Sequence, residues 1–294
     1  MSFSYNVKRE IAQKFGNARH CNIAELAAIL NMCAYIGRFR QKFYIKLQTE
    51  NAFLARKCFT LIEKTFKIKC NVTVRKSHLY CVYILTITQN AKKILSATGV
   101  LSSKGICNEC YLPVVNSICC RRTYLRGAFL ASGYINDPKK NYHLEFVQES
   151  KAQAEQLQNL LHTFCLDAKI VQRKENFIVY LKEGEQITDM LNIMQAYTSL
   201  LTMENIRIWK EVRNDVNRKV NCETANLSKT VAAAIKQVED IQYIQKQKEW
   251  KNLPNTLLQT AQLRLQYPEA SLKELGLLMT PSVGKSGVNH RLKK

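Results

Sequence analysis

Hydrophobic and polar positions fall into two kinds of run: apolar residues at i, i+3 and i+4 read as helix, and strict alternation reads as strand. Residues 4–15 place Val7, Ile11 and Phe15 on the inward face of a basic amphipathic helix. From Leu26 to Ile36 the run LAAILNMCAYI has Asn31 as its only polar residue, so a helix there must be buried on every side. Arg38 to Gln48 then alternates, with Phe39, Phe43, Ile45 and Leu47 on one face and Arg38, Arg40, Lys42, Tyr44 and Lys46 on the other. The pattern predicts one strand with an apolar back and a cationic front. Residues 51–66 form a helix able to cover that back through Phe53, Leu54, Cys58, Leu61, Ile62 and Phe66. In the next alternating strand Ile68, Cys70, Val72 and Val74 oppose Lys67, Lys69, Asn71, Thr73 and Arg75. An apolar strand from Leu79 to Ile87 and a short helix from Asn90 to Ala97 follow.

The same order then recurs. LRGAFLASGYI, Leu125 to Ile135, repeats the apolar helix 99 positions after Leu26, and residues 98–117 read as the connection. A strand at Tyr142–Val147, a helix at Lys151–Cys165, strands near Ile170 and at Phe177–Leu181 and a helix at Ile187–Ala196 complete the second copy. Small residues at four-residue spacing, Ala24 with Ala28 and Gly127 with Ala131, let two helix backbones approach closely. The expected fold is α+β, a pseudo-two-fold pair of αββαββα repeats meeting at these two helices. The second copy lacks the cationic fronts, since its first strand sets His143 and Glu145 against Tyr142, Leu144 and Phe146.

The last third reads as all-α. A helix leads out from Thr198 to Lys219, the polar stretch NCETAN at 221–226 reads as a hinge, and a long helix runs from Leu227 to Gln247. Pro254 and Pro268 bracket a helix at Asn255–Gln266. Ser271 and Glu274 form an S-x-x-E capping box ahead of a stripe of Leu272, Leu275, Leu278 and Met279. After the turn TPSVGK comes a terminal helix that Ser286 can cap, locked by Val288 and Leu292. This is a helix-turn-helix pattern, whose second helix enters the major groove. Lys285 and Ser286 are placed for the DNA backbone, Asn289, His290 and Arg291 for base edges, and Lys293 lies on the same exposed side. The divisions are 1–97 and 98–203 for the repeats, 204–226 for a linker helix and hinge, and 227–294 for the DNA-binding domain.

Composition sharpens the picture through charge. The 294 residues include 44 Lys and Arg against 23 Asp and Glu, a net charge of +21, which points to a polyanionic partner. Residues 1–120 hold 18 of the bases and 5 of the acids and residues 204–294 hold 16 and 9, so the excess is concentrated in the first and last thirds. Arg38, Arg40, Lys42, Lys46, Lys67, Lys69 and Arg75 are the expected backbone contacts on the first repeat. No run approaches the length of a spanning helix and the start lacks an apolar signal, so a cytoplasmic, nucleoid-associated protein without a membrane partner is expected. The 11 cysteines read as reduced thiols. CNEC at Cys107–Cys110 supplies half a zinc tetrahedron, but Cys119 and Cys120 are adjacent and open the apolar helix, so neither a metal nor another cofactor is expected.

The paired apolar stretches resemble the LAGLIDADG motif of homing endonucleases, whose motif helices join two αββαββα halves. Laid on that pattern, the metal-holding acids would fall at Cys33 and Ser132, and neither side chain replaces a carboxylate for magnesium. With the C-terminal helix-turn-helix, the whole chain resembles the WhiA family of bacterial regulators linked to sporulation and cell division. CCRRTYLRGAFLASGYINDPKKNYHLEF, NCETANLSKTV and YPEASLKELGLLMTPSVGKSGVNHRLKK carry that resemblance. It implies a regulator of transcription that binds duplex DNA, acts with other transcription factors or RNA polymerase, and has no nuclease activity. A nonspecific nucleoid or RNA-binding protein and an active homing endonuclease are the competing expectations.

Overall fold

In the first repeat, helix α1 (Phe3–Ala12) starts where the Ser2 hydroxyl accepts from the Tyr5 amide and buries Val7 and Ile11. Helix α2 (Arg19–Cys33) is followed by strands β1 (Ala34–Phe39) and β2 (Lys42–Thr49). Helix α3 (Ala52–Phe66) begins on Asn51, whose carboxamide accepts from the Phe53 and Leu54 amides. Strands β3 (Asn71–Lys76) and β4 (Cys81–Ile87) and helix α4 (Ala91–Ala97) complete the repeat. The computed structural model describes residues 2–76, 80–102, 105–106, 112–247, 250 and 252–294. Leu79 and the CNEC stretch, Cys107–Cys110, therefore lie outside the described residues.

A two-residue ladder of β5 (Leu101–Ser102) with β6 (Gly105–Ile106) precedes a 3-10 turn at Leu112–Val115. The second repeat holds α5 (Ile118–Ser132), β7 (Gly133–Ile135), β8 (Leu144–Gln148), α6 (Lys151–His162), β9 (Lys169–Arg173), β10 (Asn176–Leu181) and α7 (Gly184–Ile193). The two four-stranded sheets have the same antiparallel order, β1-β2-β4-β3 and β7-β8-β10-β9. One apolar cluster gathers the inner faces of both sheets and their helices, with Leu26, Ile29, Leu125 and Phe129 of α2 and α5 fully buried in it. The backbones of α2 and α5 meet closely at Gly127, where a Cβ would lie 2.5 Å from the Glu25 carbonyl oxygen.

Three expectations change here. Both motif helices end early, at Cys33 and Ser132, and the last three residues of each apolar run are strand residues paired with β2 and β8. A run that is apolar on all sides has no periodicity to mark where helix gives way to buried strand. The stretch Arg38–Gln48, expected as one strand, is a hairpin turning at Arg40 and Gln41, both with positive φ (44° and 62°). Its consequence is an inversion of faces: Phe39 pairs with Lys42 and Arg38 with Phe43, so Phe39 joins the cationic side and Arg38 leaves it. Finally β3 starts only at Asn71, since Lys67 terminates α3 with φ 59° and Lys69 lies in the connection.

The described chain divides into units Met1–Trp209 and Lys210–Lys294. Helix α8 (Tyr197–Lys246) starts where the Glu10 carboxylate accepts from the amides of Thr198 (2.7 Å) and Ser199 (3.0 Å). It runs unbroken through residues 221–226, where a hinge was expected. Polar composition suggested the break, yet the 50 residues contain neither Gly nor Pro to enforce one.

Within the second unit, α9 (Asn255–Gln266), α10 (Leu272–Leu277) and α11 (Lys285–Lys293) close on Leu275, Met279 and Val288. The Ser271–Glu274 capping box is formed in both directions. Leu278 is a correction: it caps α10 and is 48% exposed rather than part of the buried stripe. Gly276 fits where α10 meets the turn, since a Cβ there would run into the Val283 carbonyl.

Candidate nucleic-acid interface

The helices α3 and α4 cover one face of the first sheet and leave the other open. The strand register decides which side chains stand on the open face. Lys42, Tyr44 and Lys46 of β2 pair with Phe39, Gly37 and Tyr35 of β1, and Asn71, Thr73 and Arg75 of β3 flank Thr86, Ile84 and Val82 of β4. Three of the seven expected cations, Lys42, Lys46 and Arg75, therefore share this face. Arg40 stands at the hairpin tip, 5.3 Å from the centre of the Phe39 ring. Arg38 lies on the opposite face against Phe43, and Lys67 and Lys69 are exposed outside the strand.

Of the aromatic side chains on the open face, Tyr44 was expected there, whereas Tyr35 and Phe39 were missed in the sequence. Tyr35 and Phe39 are 63% and 66% exposed, and the Tyr35 and Tyr44 rings lie 6.2 Å apart. Tyr44 crosses Gly37, a position where no other residue leaves room for the ring. A recess of about 320 Å³ runs from these tyrosines to Cys33, lined also by Lys46 and Gln48. On the second sheet, Lys169, Arg173 and Tyr180 share the open side with Glu145. Glu145 is held by His143 at 2.8 Å and Arg173 at 3.8 Å, so this half offers less net positive charge.

At the ends of the motif helices, where acids would hold a metal, the side chains turn back on their own helices. The Cys33 thiol donates to the Ile29 carbonyl (3.0 Å) and the Ser132 hydroxyl to the Ala128 carbonyl (3.3 Å). Gln148 donates to Ser132 at 3.3 Å. Burial pushes the Cys33 thiol up to about 12, opposed by the charge of Lys8, so it is a protonated thiol near neutrality. Lys8 itself is pulled down to about 8 by burial, with Cys33 acting the other way.

The acid closest in sequence before Cys33 is consumed elsewhere. Glu25 is fully buried and accepts from Arg126 Nε and Nη2, both at 2.9 Å, while Lys57 Nζ stands 3.0 Å from Oε1. Lys57 also donates to the Lys14 carbonyl, and burial lowers its pKa to about 8 against the pull of Glu25. Arg126 completes the group by donating to Gln195 at 2.9 Å.

In the second unit, α11 is fixed by fully buried Val288, with Leu292 packed beside it. Lys285, Ser286, His290 and Lys293 are exposed, and Asn289 is half-buried between them and the core. Arg291 follows Val288 by three residues and so falls toward the inner side, where its Nη1 donates to the Met279 sulfur at 3.7 Å. Ser286 does not cap the helix: Gly284 occupies the cap position without a side-chain bond, and Ser286 lies in the first turn.

Two repeats built on a pair of central helices, followed by a helical unit ending in a helix-turn-helix, define a LAGLIDADG-like protein with a C-terminal helix-turn-helix region. Residues 19–101 match the WhiA N-terminal LAGLIDADG-like domain, residues 121–213 the WhiA LAGLIDADG-like domain and residues 216–294 the WhiA C-terminal HTH domain. The chain belongs to the WhiA family. It is 46% identical over 306 residues to the "Probable cell division protein WhiA" of Lachnoclostridium phytofermentans, covering 100% of this chain and 97% of that one. The protein of the same name from Clostridium perfringens strain 13 is 46% identical over 303 residues, covering 100% and 96%. The crystal structure of full-length DUF199/WhiA from Thermatoga maritima has the same fold, with a TM-score of 0.65 at 23% identity over 100% of this chain and 96% of that one. Among the described residues no helix is long and apolar enough to cross a membrane.

Proposed function

We propose that this chain is a sequence-specific regulator of transcription that binds duplex DNA, serves cell division as its relatives are named, and cuts no DNA. The observation that carries the reading is the surface of α11. One side locks into the core through Val288, and the other leaves Lys285, Ser286, His290 and Lys293 to solvent, with half-buried Asn289 beside them, on a helix of groove-compatible size. Asn289 supplies the bidentate chemistry that suits adenine, His290 a second base-edge contact, and Lys285, Ser286 and Lys293 the phosphate contacts. Arg291 contributes to readout only by giving up its contact with the Met279 sulfur.

The open face of the first sheet supports a second, sequence-independent contact through Lys42, Lys46 and Arg75. Its exposed Tyr35 and Phe39 also favour one rival, a nonspecific or RNA-binding protein, because unpaired bases stack on such rings. The nuclease reading loses its support at Cys33 and Ser132, since metal-assisted phosphodiester cleavage needs carboxylate-held cations. A role at the nucleoid, with RNA polymerase or other transcription factors as protein partners, goes with the regulatory reading.

The test is retention of sheared genomic duplex by the full-length protein in EDTA, followed by sequencing of what is retained. A common motif is expected, blurred at one position by Asn289→Ala. Retention without any motif, or preference for structured RNA, would replace the regulator with the nonspecific reading. Plasmid cleavage on adding magnesium would overturn the non-nuclease part.

A further inference from the structure

Away from the acid positions, four metal-ligating side chains converge at the other end of the motif helices. His20 and Cys21 lie at the start of α2, and Cys119 and Cys120 at the start of α5. The two pairs are related by the same 99-position offset as the helices themselves. One ligand atom from each lies within 4.8 Å of each of the others. His20 Nδ1 is 3.0 Å from Cys120 Sγ and 3.5 Å from Cys21 Sγ. A zinc ion with ordinary Zn–S and Zn–N bonds has ligand atoms about 3.5–3.8 Å apart, which small side-chain rotations reach from here.

We propose that His20, Cys21, Cys119 and Cys120 form a structural zinc site that pins the two repeats together at the first turns of their central helices. Adjacent cysteines on one helix point about 100° apart and make a poor clamp alone. Facing a second adjacent pair across a pseudo-two-fold axis, they become half of a tetrahedron. The ligand set selects the metal: three thiolates and an imidazole suit zinc and disfavour magnesium or calcium. All four positions are filled by protein, so no vacancy is left for a catalytic water. The complex would carry one net negative charge, and both helix N-termini present their positive ends to it. Cys21 and Cys120 are buried while His20 and Cys119 are exposed, so the ion has a path from solvent.

The full-length protein, purified under reducing conditions without chelator, tests this directly. Metal analysis should give one zinc per chain, and chelated protein should take up one equivalent when zinc is added back. Alkylation read by mass spectrometry should find Cys119 and Cys120 protected about tenfold or more until zinc is removed. Cys165 and Cys222, both exposed, should react alike in the two states. Cobalt replacing the zinc should give the intense absorption of a tetrahedral, thiolate-rich site. Cys120→Ser should lose the metal, and Cys107→Ser with Cys110→Ser should keep it.

If Cys120→Ser fails to fold, the alkylation pattern of the unaltered protein still decides. A chain that takes up no zinc, or whose Cys119 and Cys120 react equally with and without chelator, overturns the site. So does zinc that survives Cys21→Ser with Cys120→Ser, or that disappears when only Cys107 and Cys110 are changed. A Cys21–Cys120 or Cys119–Cys120 disulfide found in place of metal under those conditions overturns it as well.

Discussion

Glu25 shows how one residue can hold the centre of this fold without taking part in its chemistry. Its carboxylate takes two hydrogen bonds from Arg126 of α5 and an ion pair from Lys57 of α3, so a single side chain links three helices across both repeats. All three groups are at most 2% exposed. A buried triad of this kind adds little stability over an apolar filling, but removing one member strands the others. Glu25→Gln should therefore destabilise the protein by about 3–5 kcal/mol, because two buried cations lose their counter-charge. Urea unfolding followed by circular dichroism measures it, and a loss below about 1 kcal/mol would mean that water reaches the triad. Nothing in the local pattern around Glu25 announces this use, since it lies on a helix buried on every side. Arg126 and Lys57 sit 101 and 32 positions away from it, and pairing over such separations has no local pattern.

Elements whose boundaries are marked by their own side chains were legible in the sequence, and those marked by tertiary partners were not. The Ser271–Glu274 box and the prolines at 254 and 268 delimit α10 and α9 as expected, because a cap or a missing amide acts within one turn. The β1–β2 hairpin was invisible for the opposite reason. Arg40 and Gln41 take left-handed conformations that Asn-Gly would announce, while their own side chains give no turn signal and leave the alternation unbroken. Gly37 and Tyr44 then face each other, and the whole of β1 reverses its faces relative to a single long strand. The cost of left-handed backbone at a residue with a side chain predicts a gain on relieving it. Gln41→Gly should stabilise the protein by about 1 kcal/mol in thermal or urea unfolding. Its affinity for DNA should not change, since no charge is removed. A destabilised variant would show that the Gln41 side chain contributes more than its conformation costs. The helix through residues 221–226 belongs to the same lesson, since polarity alone does not break a helix that contains no breaker.

At the scale of the molecule, the net charge of +21 forecasts a polyanionic partner but does not say which cations meet it. The strand register divides the seven cations of the first repeat. Lys42, Lys46 and Arg75 share one face with exposed aromatic rings, while Arg38, Lys67 and Lys69 are equally exposed but point elsewhere. The two sets carry the same charge and differ only in placement, so they form a matched comparison. Each phosphate contact releases counterions and adds about 0.9 to the slope of log affinity against log salt. Changing Lys42, Lys46 and Arg75 to Gln should flatten that slope by up to about 3, weakening all duplexes alike, whereas the same change at Arg38, Lys67 and Lys69 should leave it nearly unaltered. Asn289→Ala belongs to the other class of contact and should cost about 1–3 kcal/mol at one base pair while preserving the slope. Fluorescence anisotropy over a range of salt concentrations separates the three variants. Equal flattening by both charge sets would mean that DNA responds to overall charge and the open sheet face is no interface. A change of slope in Asn289→Ala would instead mean that α11 binds through phosphates alone, and the assignment of sequence reading to that helix would fall with it.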